Sequence, residues 1–179
     1  ESIAALLNNG KKTALILGGH ALREDALVLA GRIAAKTGCP LFGETFPTRH
    51  QRGAGRVSIT RVPYFAEVAI EVFAQYEQFI LIAAAIPVAF FAYPDTPSVL
   101  LPEQATVATL ASVEQAVVSA LSSLADALGA TKGLETLQER LVPAAPTGAL
   151  TAATIGDTLA SLLPENAIVV DEGITCAAE

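Results

Sequence analysis

"TALILGGH", residues 13–20, is an apolar run that ends in two glycines. It is too short for a helix of ordinary length. Its apolar positions also do not alternate with polar ones, as they would in a strand with one wet face. A continuous run of this kind suits a strand buried on both faces, as in a parallel sheet. The next stretch, "ALREDALVLAGRIAAKTG" (21–38), puts Leu22, Ala26, Leu29 and Ile33 on one face at helical spacing. Arg23, Glu24, Arg32 and Lys36 fall mostly elsewhere, as a half-buried helix requires. Gly38 is placed to end that helix as a C-cap. Strand, glycine turn and helix follow one another without a break, which is half of a βαβ unit.

The same alternation continues outward from this unit. "CPLFGE" predicts a second strand at 40–43, and "FILIAAA" a third at 79–84. "PVAFFAY" predicts a fourth at 88–92 with a short extension in "PSVLLP", and "TVATLA" a fifth at 106–110. Residues 2–9 carry an apolar helical face. "YFAEVAIEVFAQY" predicts a helix facing inward through Phe65, Val68, Val72, Phe73 and Tyr76. Ser112 with Gln115 three residues on predicts a capping box. The helix it opens would bury Val113, Ala116, Val117, Ala120, Leu121 and Leu124. Alternating strands and helices define an α/β fold, a Rossmann-like doubly wound parallel sheet with helices on both faces, expected to stand alone over residues 12–128.

After Gly129 the composition changes. Pro143, Pro146 and Gly148 mark a linker. We read residues 1–142 as the Rossmann-like domain, 143–150 as linker, and 151–179 as the incomplete beginning of a second α/β domain. That last segment predicts a helix in "TAATIGDTLASLLP" and a strand at Ala167–Val170. A helix and one strand cannot close a core. Ile155, Leu159, Leu162, Ile168 and Val170 are therefore expected to leave apolar surface uncovered.

The formal charge of −7 argues against nucleic acid, whose phosphates call for clustered Lys and Arg, and against an anionic membrane surface. The longest apolar run, residues 79–93, is broken by Pro87 and falls short of the ~20 residues of a membrane span. Cys39 and Cys176 lie far apart, so no disulfide framework is expected, and no leader opens the chain. A cytoplasmic protein is the expectation. Met is absent, including at position 1, which points either to an excised piece or to methionines missing from the sequence.

Few positions stand out chemically. Gly18 and Gly19 sit in a strand-to-helix turn, where helix N-terminal amides can meet a nucleotide phosphate. The G-x-G-x-x-G fingerprint is absent, however, because His20, Ala21, Leu22 and Arg23 follow. A tight turn needing small residues accounts for the pair equally. "TRHQRGAGR" gathers Arg49, His50, Arg52 and Arg56 around Gly53 and Gly55. Such a loop can serve an interface, lie in solvent, or hold an anion. No Cys/His/Asp spacing resembles a metal site, and no nucleophile or P-loop motif is present. Spacing assigns no catalytic residue, and Asp171-Glu172 reads as a solvated or capping pair.

Three stretches taken together carry a resemblance. "ETFPTRHQRGAGR", "RVPYF" and "ILIAAAIPVAFFAYPDTPSVLLP" are similar to the central domain of thiamine-diphosphate-dependent enzymes of the acetolactate-synthase-like and benzoylformate-decarboxylase-like branch. "TAATIGDTLASLLPENAIVVDEGIT" resembles the opening of their diphosphate-binding domain. The resemblance implies a parent enzyme that uses thiamine diphosphate and Mg2+ on 2-oxo acids, as a decarboxylase or carboligase. It implies partners too: a pyrimidine-binding domain, the rest of the diphosphate-binding domain, and a homo-oligomer, dimer or tetramer, with its active site between subunits. The catalytic glutamate and the magnesium motif of that family are not among these residues. The chain is therefore expected to be a fragment acting as non-catalytic scaffold, with Gly173 and Thr175 as its approach to the cofactor. Some branches bind flavin adenine dinucleotide or adenosine diphosphate in the central domain. Here the turn after the third strand, "AAAIPVAFFAY", lacks the Gly and Arg of flavin-binding members, so FAD is not expected. Gly18 and Gly19 remain as candidate nucleotide contacts, and the alternative reading is a free-standing dinucleotide-binding module.

Overall fold

The structure is a computed structural model that describes residues 2–92 and 94–173. The chain divides between Gln138 and Glu139 into two compact units. The elements of the first unit are α1 (Ile3–Leu7), β1 (Thr13–Leu17), a 3-10 turn (Gly19–Leu22), α2 (Glu24–Thr37), β2 (Leu41–Gly43), β3 (Thr60–Arg61), α3 (Ala66–Phe73), β4 (Gln78–Ile82), β5 (Thr106–Ala111) and α4 (Val117–Leu128). The five strands form one sheet in the order β3-β2-β1-β4-β5. Every pairing in it is parallel. The Rossmann-like doubly wound class is what the structure shows, with the strand order reversing between β1 and β4.

β1 is buried at all five positions, and its alternating side chains feed two separate cores. Leu15 and Leu17 join Ile80 and Ile82 of β4 under α1, α2 and α4. Ala14 and Ile16 join Phe79 and Leu81 on the opposite face, with Phe42, Ala66, Ala69 and Phe73. Each fully buried Leu, Ile or Phe contributes roughly 1.5–3 kcal/mol. On the second face Phe73 meets both Phe42 and Phe79 edge-on, with ring centroids 5.4 Å apart in each case. A buried polar contact joins the side chains of β1 and β4: Thr13 Oγ1 donates to Gln78 Oε1 at 2.9 Å. α2 ends as its sequence predicts, at Gly38 with φ 75, a left-handed turn that glycine adopts without strain.

Local expectations are corrected at several places. Residues 88–92 form no strand. The place beside β4 belongs to β5, and Val88 instead makes an isolated antiparallel bridge to Val99. Pro87 has no amide to donate to a ladder, and Phe90 and Phe91 lie on the surface at 47% and 58% exposure. The edge strand β3 was not anticipated, because two residues are too few to show periodicity. The third helix is shorter than expected and buries Ala66, Ala69 and Phe73, while Phe65 and Val68 face solvent. α4 begins at Val117, leaving Val113 exposed. Only half of the predicted box forms there: Gln115 Oε1 accepts from the Ser112 amide at 2.7 Å, while the Ser112 hydroxyl donates to Glu114.

The second unit contains α5 (Ala152–Leu162), opened by a reciprocal box between Thr151 and Thr154. Leu159 and Leu162 are exposed, and so are Ile168 and Val170, both at 81%. The strand expected at Ala167–Val170 is absent from the structure. A single extended segment has no ladder partner within this unit to satisfy its amides.

The two-sided core makes a stability prediction. Phe73→Ala should cost about 3–5 kcal/mol in denaturant unfolding, since Phe73 is fully buried between two rings. Val68→Ala, on the solvent side of the same helix, should stay within about 0.5 kcal/mol.

Candidate functional site

In an open α/β sheet, ligands bind beyond the carboxyl ends of the strands, where the strand order reverses. Here that place lies between the ends of β1 and β4. Gly18 extends β1 and donates its amide to the Ile82 carbonyl at 3.0 Å, and Ala83 extends β4 by donating to the Ala111 carbonyl at 2.8 Å. Glu44, the first residue after β2, donates its own amide to the Leu17 carbonyl at 3.1 Å. The crevice is closed by Glu44. Its carboxylate accepts the backbone amides of Gly19 and Ala85, and burial raises its pKa above the ordinary glutamate value. An anion arriving at the Gly19 amide would find an acceptor already in place.

The glycines are explained by this packing. Gly18 has φ −140, an extended conformation open to any residue, so its role is one of space. A Cβ there would run into the Glu44 carboxyl and lie 2.6 Å from the Ala83 carbonyl oxygen. Gly19 has φ 44, and Ala83 itself holds a positive φ of 49. The turn after β4 therefore adopts a glycine-like backbone without glycine, at some cost in strain.

The basic loop folds back onto its own domain. The Gln51 amide donates to the Leu22 carbonyl at 3.0 Å, and its side-chain oxygen accepts the Glu24 amide at 2.6 Å, capping the start of α2. Arg56 pairs with Glu24 at 3.3 Å. The loop also pairs with the segment before Glu139. Gly55 donates to the Gln138 carbonyl and Gln138 to the Arg56 carbonyl, both at 2.8 Å. Arg49 and Arg52 remain exposed. His50 is half-buried, and that burial, aided by the neighbouring Arg52 charge, lowers its pKa. Arg49, His50, Arg52 and Arg56 are thus not gathered at the Gly18–Gly19 turn by any hydrogen bond or ion pair among the described residues.

In the second unit, Gly173 donates its amide to the Asp171 carboxylate at 2.9 Å, forming a local turn. Thr175 lies outside the described residues. Among the described residues no group of three or more His, Cys, Asp or Glu side chains could hold a metal ion. No described helix is long and apolar enough to cross a membrane. Sequence reading missed Glu44. Its signal was an acid immediately after a buried strand, at the height of the glycine turn.

No protein-family model matches the chain. It is 40% identical over 174 residues to the "Putative acetolactate synthase large subunit IlvX" of Mycobacterium tuberculosis, a match covering 97% of this chain and 33% of that protein. Two solved structures share the fold. One is a thiamine-diphosphate-dependent 4-hydroxybenzoylformate decarboxylase of Rhodococcus jostii RHA1, with TM-score 0.69, 17% identity and coverage of 93% of this chain and 34% of that one. The other is "a putative thiamin diphosphate-dependent enzyme isolated from Mycobacterium smegmatis", with TM-score 0.63, 20% identity and coverage of 91% of this chain and 34% of that one. The chain therefore has the fold of an α/β portion of thiamine-diphosphate-dependent enzymes. Its sequence is related more particularly to an acetolactate-synthase-type large subunit, and it spans about a third of that relative's length.

The Gly18–Glu44 contact makes two predictions. Gly18→Ala should cost about 1–3 kcal/mol by overpacking, measured by urea unfolding. Adding Glu44→Ala should recover only part of that, because the Ala83 carbonyl remains in the way. For pH, a raised folded value means that folded Glu44 holds its proton more tightly than unfolded Glu44 does. The associated stability is fully present below the ordinary value of 4.5 and is lost as pH climbs through the raised one. Wild type should therefore gain Tm relative to Glu44→Gln as pH falls from neutral toward 4.5. A pH-independent difference would show that the carboxyl is solvated.

Proposed function

We propose that this chain is the central α/β domain, with the start of the diphosphate-binding domain, of a thiamine-diphosphate-dependent 2-oxo-acid decarboxylase or carboligase of the acetolactate-synthase type. The observation that carries this reading is the 40% identity running through 97% of the chain, across both units. The domain division proposed with it is residues 1–142, a linker at 143–150, and 151–179. The partners are the pyrimidine-binding domain and the remainder of the diphosphate-binding domain, in a cytoplasmic homo-oligomer. The competing reading, a free-standing dinucleotide-binding module, is not the one these relatives favour.

In the parent, thiamine diphosphate would supply a nucleophilic carbon and an electron sink for the 2-oxo acid. Gly173 and Thr175 are the positions we assign toward its diphosphate. The described residues alone do not fit the cofactor. The Gly173 amide is engaged by Asp171, and no described cluster of ligands could hold Mg2+. The work of this chain in that scheme is mechanical. Its sheet fixes the carboxyl-end loops and offers surface to the neighbouring domains, without handling protons or substrate.

Two measurements test the proposal. The purified chain, given thiamine diphosphate, Mg2+ and pyruvate or benzoylformate, should stay at the background rate of decarboxylation. Turnover by the chain alone would defeat the scaffold role. Grafted in place of the matching third of its 40%-identical relative, it should yield a folded oligomer. A chimera that fails to assemble would remove the case for a central domain.

A further inference from the structure

The carboxyl-end loops carry a second constellation, outside the Gly18–Glu44 crevice and unused by the scaffold role. A cavity of about 250 Å³ is lined by Tyr64, Phe65, Ala66, Glu67, Phe90 and Phe91. Tyr64 and Phe90 lie nearly parallel, at 14° with centroids 5.6 Å apart. Phe65 stands edge-on to Tyr64 at 5.3 Å. Phe46 props both partners of the stacked pair, 5.8 Å from Tyr64 and 5.0 Å from Phe90. Phe46 and Phe65 are 61% and 66% exposed, so hydrophobic burial within this domain does not account for the cluster.

The lining is chemically selective. It contains four aromatic side chains, one carboxylate, one alanine and no basic group. Glu67 is exposed in the first turn of α3 and makes no ion pair among the described residues. A second groove also carries one acid, Glu103, but its walls are aliphatic, among them Ile70, Ile86, Val99, Leu100, Leu101 and Val107, with no aromatic ring. Ring faces carry negative quadrupole potential and attract cations, and a carboxylate beside them adds to that field. An ammonium or guanidinium bearing N–H groups would find side-chain acceptors only in Glu67 and the Tyr64 hydroxyl, and none on the ring faces that make up most of the wall. A quaternary ammonium has no N–H to leave unpaired and is weakly hydrated. The formal charge of −7 favours the approach of any cation.

We propose that the cavity bounded by Tyr64, Phe65, Phe90, Phe91 and Glu67 is a binding site for a small quaternary ammonium compound. The proposal stands on ring geometry and lining chemistry and is independent of the thiamine-diphosphate reading.

The test pairs choline with 3,3-dimethylbutanol, its uncharged carbon isostere, titrated into the chain. The chain has three Tyr and no Trp, so tyrosine fluorescence reports, with calorimetry as a second readout. Choline should saturate in the millimolar range or below, and the isostere should bind at least tenfold more weakly, on the order expected for a ring–cation contact. Phe90→Leu keeps an apolar wall but removes a ring face. Glu67→Gln keeps the shape but removes the charge. Each should weaken choline by about 2- to 30-fold, with circular dichroism unchanged because both side chains are exposed. Equal binding of choline and its isostere would overturn the proposal in favour of a plain apolar patch. Absence of saturation by choline, or wild-type affinity in both variants, would overturn it outright.

Discussion

Everything in the first unit depends on β1 being buried on both sides. Five residues, Thr13 to Leu17, have no solvent face, so each side chain must find apolar cover above or below the sheet. That requirement calls for helices on both faces, which antiparallel hairpins do not supply and βα crossovers do. It also places β1 between β2 and β4, with both edges hydrogen-bonded. The reversal of strand order between β1 and β4 follows from the same constraint, and by the general rule for open α/β sheets the crevice lies at the carboxyl ends of those two strands.

What fills that crevice is a matter of local chemistry. A glycine turn at this position exposes amides suited to an anion, and the domain supplies an anion of its own in Glu44. The arrangement has costs. A carboxylate is partly withdrawn from water, and Ala83 sits at positive φ. The cost is offset by two satisfied backbone amides, which would otherwise be left without protein partners at the sheet's end. Gly18 is the steric condition for the arrangement, since the carboxyl occupies the space a side chain would need.

Elements with strong periodicity could be read from the sequence, and those set by tertiary competition could not. β1, α2 and its Gly38 cap follow from apolar runs and a terminating glycine that act locally. Residues 88–92 have strand composition, but the ladder beside β4 has one vacancy and Thr106–Ala111 fills it. In α3 the aliphatic count points to Val68 and Val72, yet Val68 faces solvent and Val72 is only partly buried, while Ala66 and Ala69 are buried, because small residues let the helix backbone approach Phe42 and Phe79. Glu44 was invisible as a functional residue, since its importance lies in two amides, one 25 residues before it and one 41 after it, that no spacing rule connects.

The aromatic residues show how the fold separates support from recognition. Phe42, Phe73, Tyr76 and Phe79 contact one another inside the core, edge to face. Phe46, Tyr64, Phe65 and Phe90 form a second network among the loops. The first set is held by the strands and α3, and its geometry is that of close packing. The second hangs on loops after β2, β3 and β4, whose starting points the sheet fixes but whose course it does not. Rings placed there gain little from folding, because much of their surface stays wet, so their worth to the molecule lies in what they meet. A rigid parallel sheet with chemically distinct loops at one end is the physical basis on which such domains acquire binding roles independent of their core.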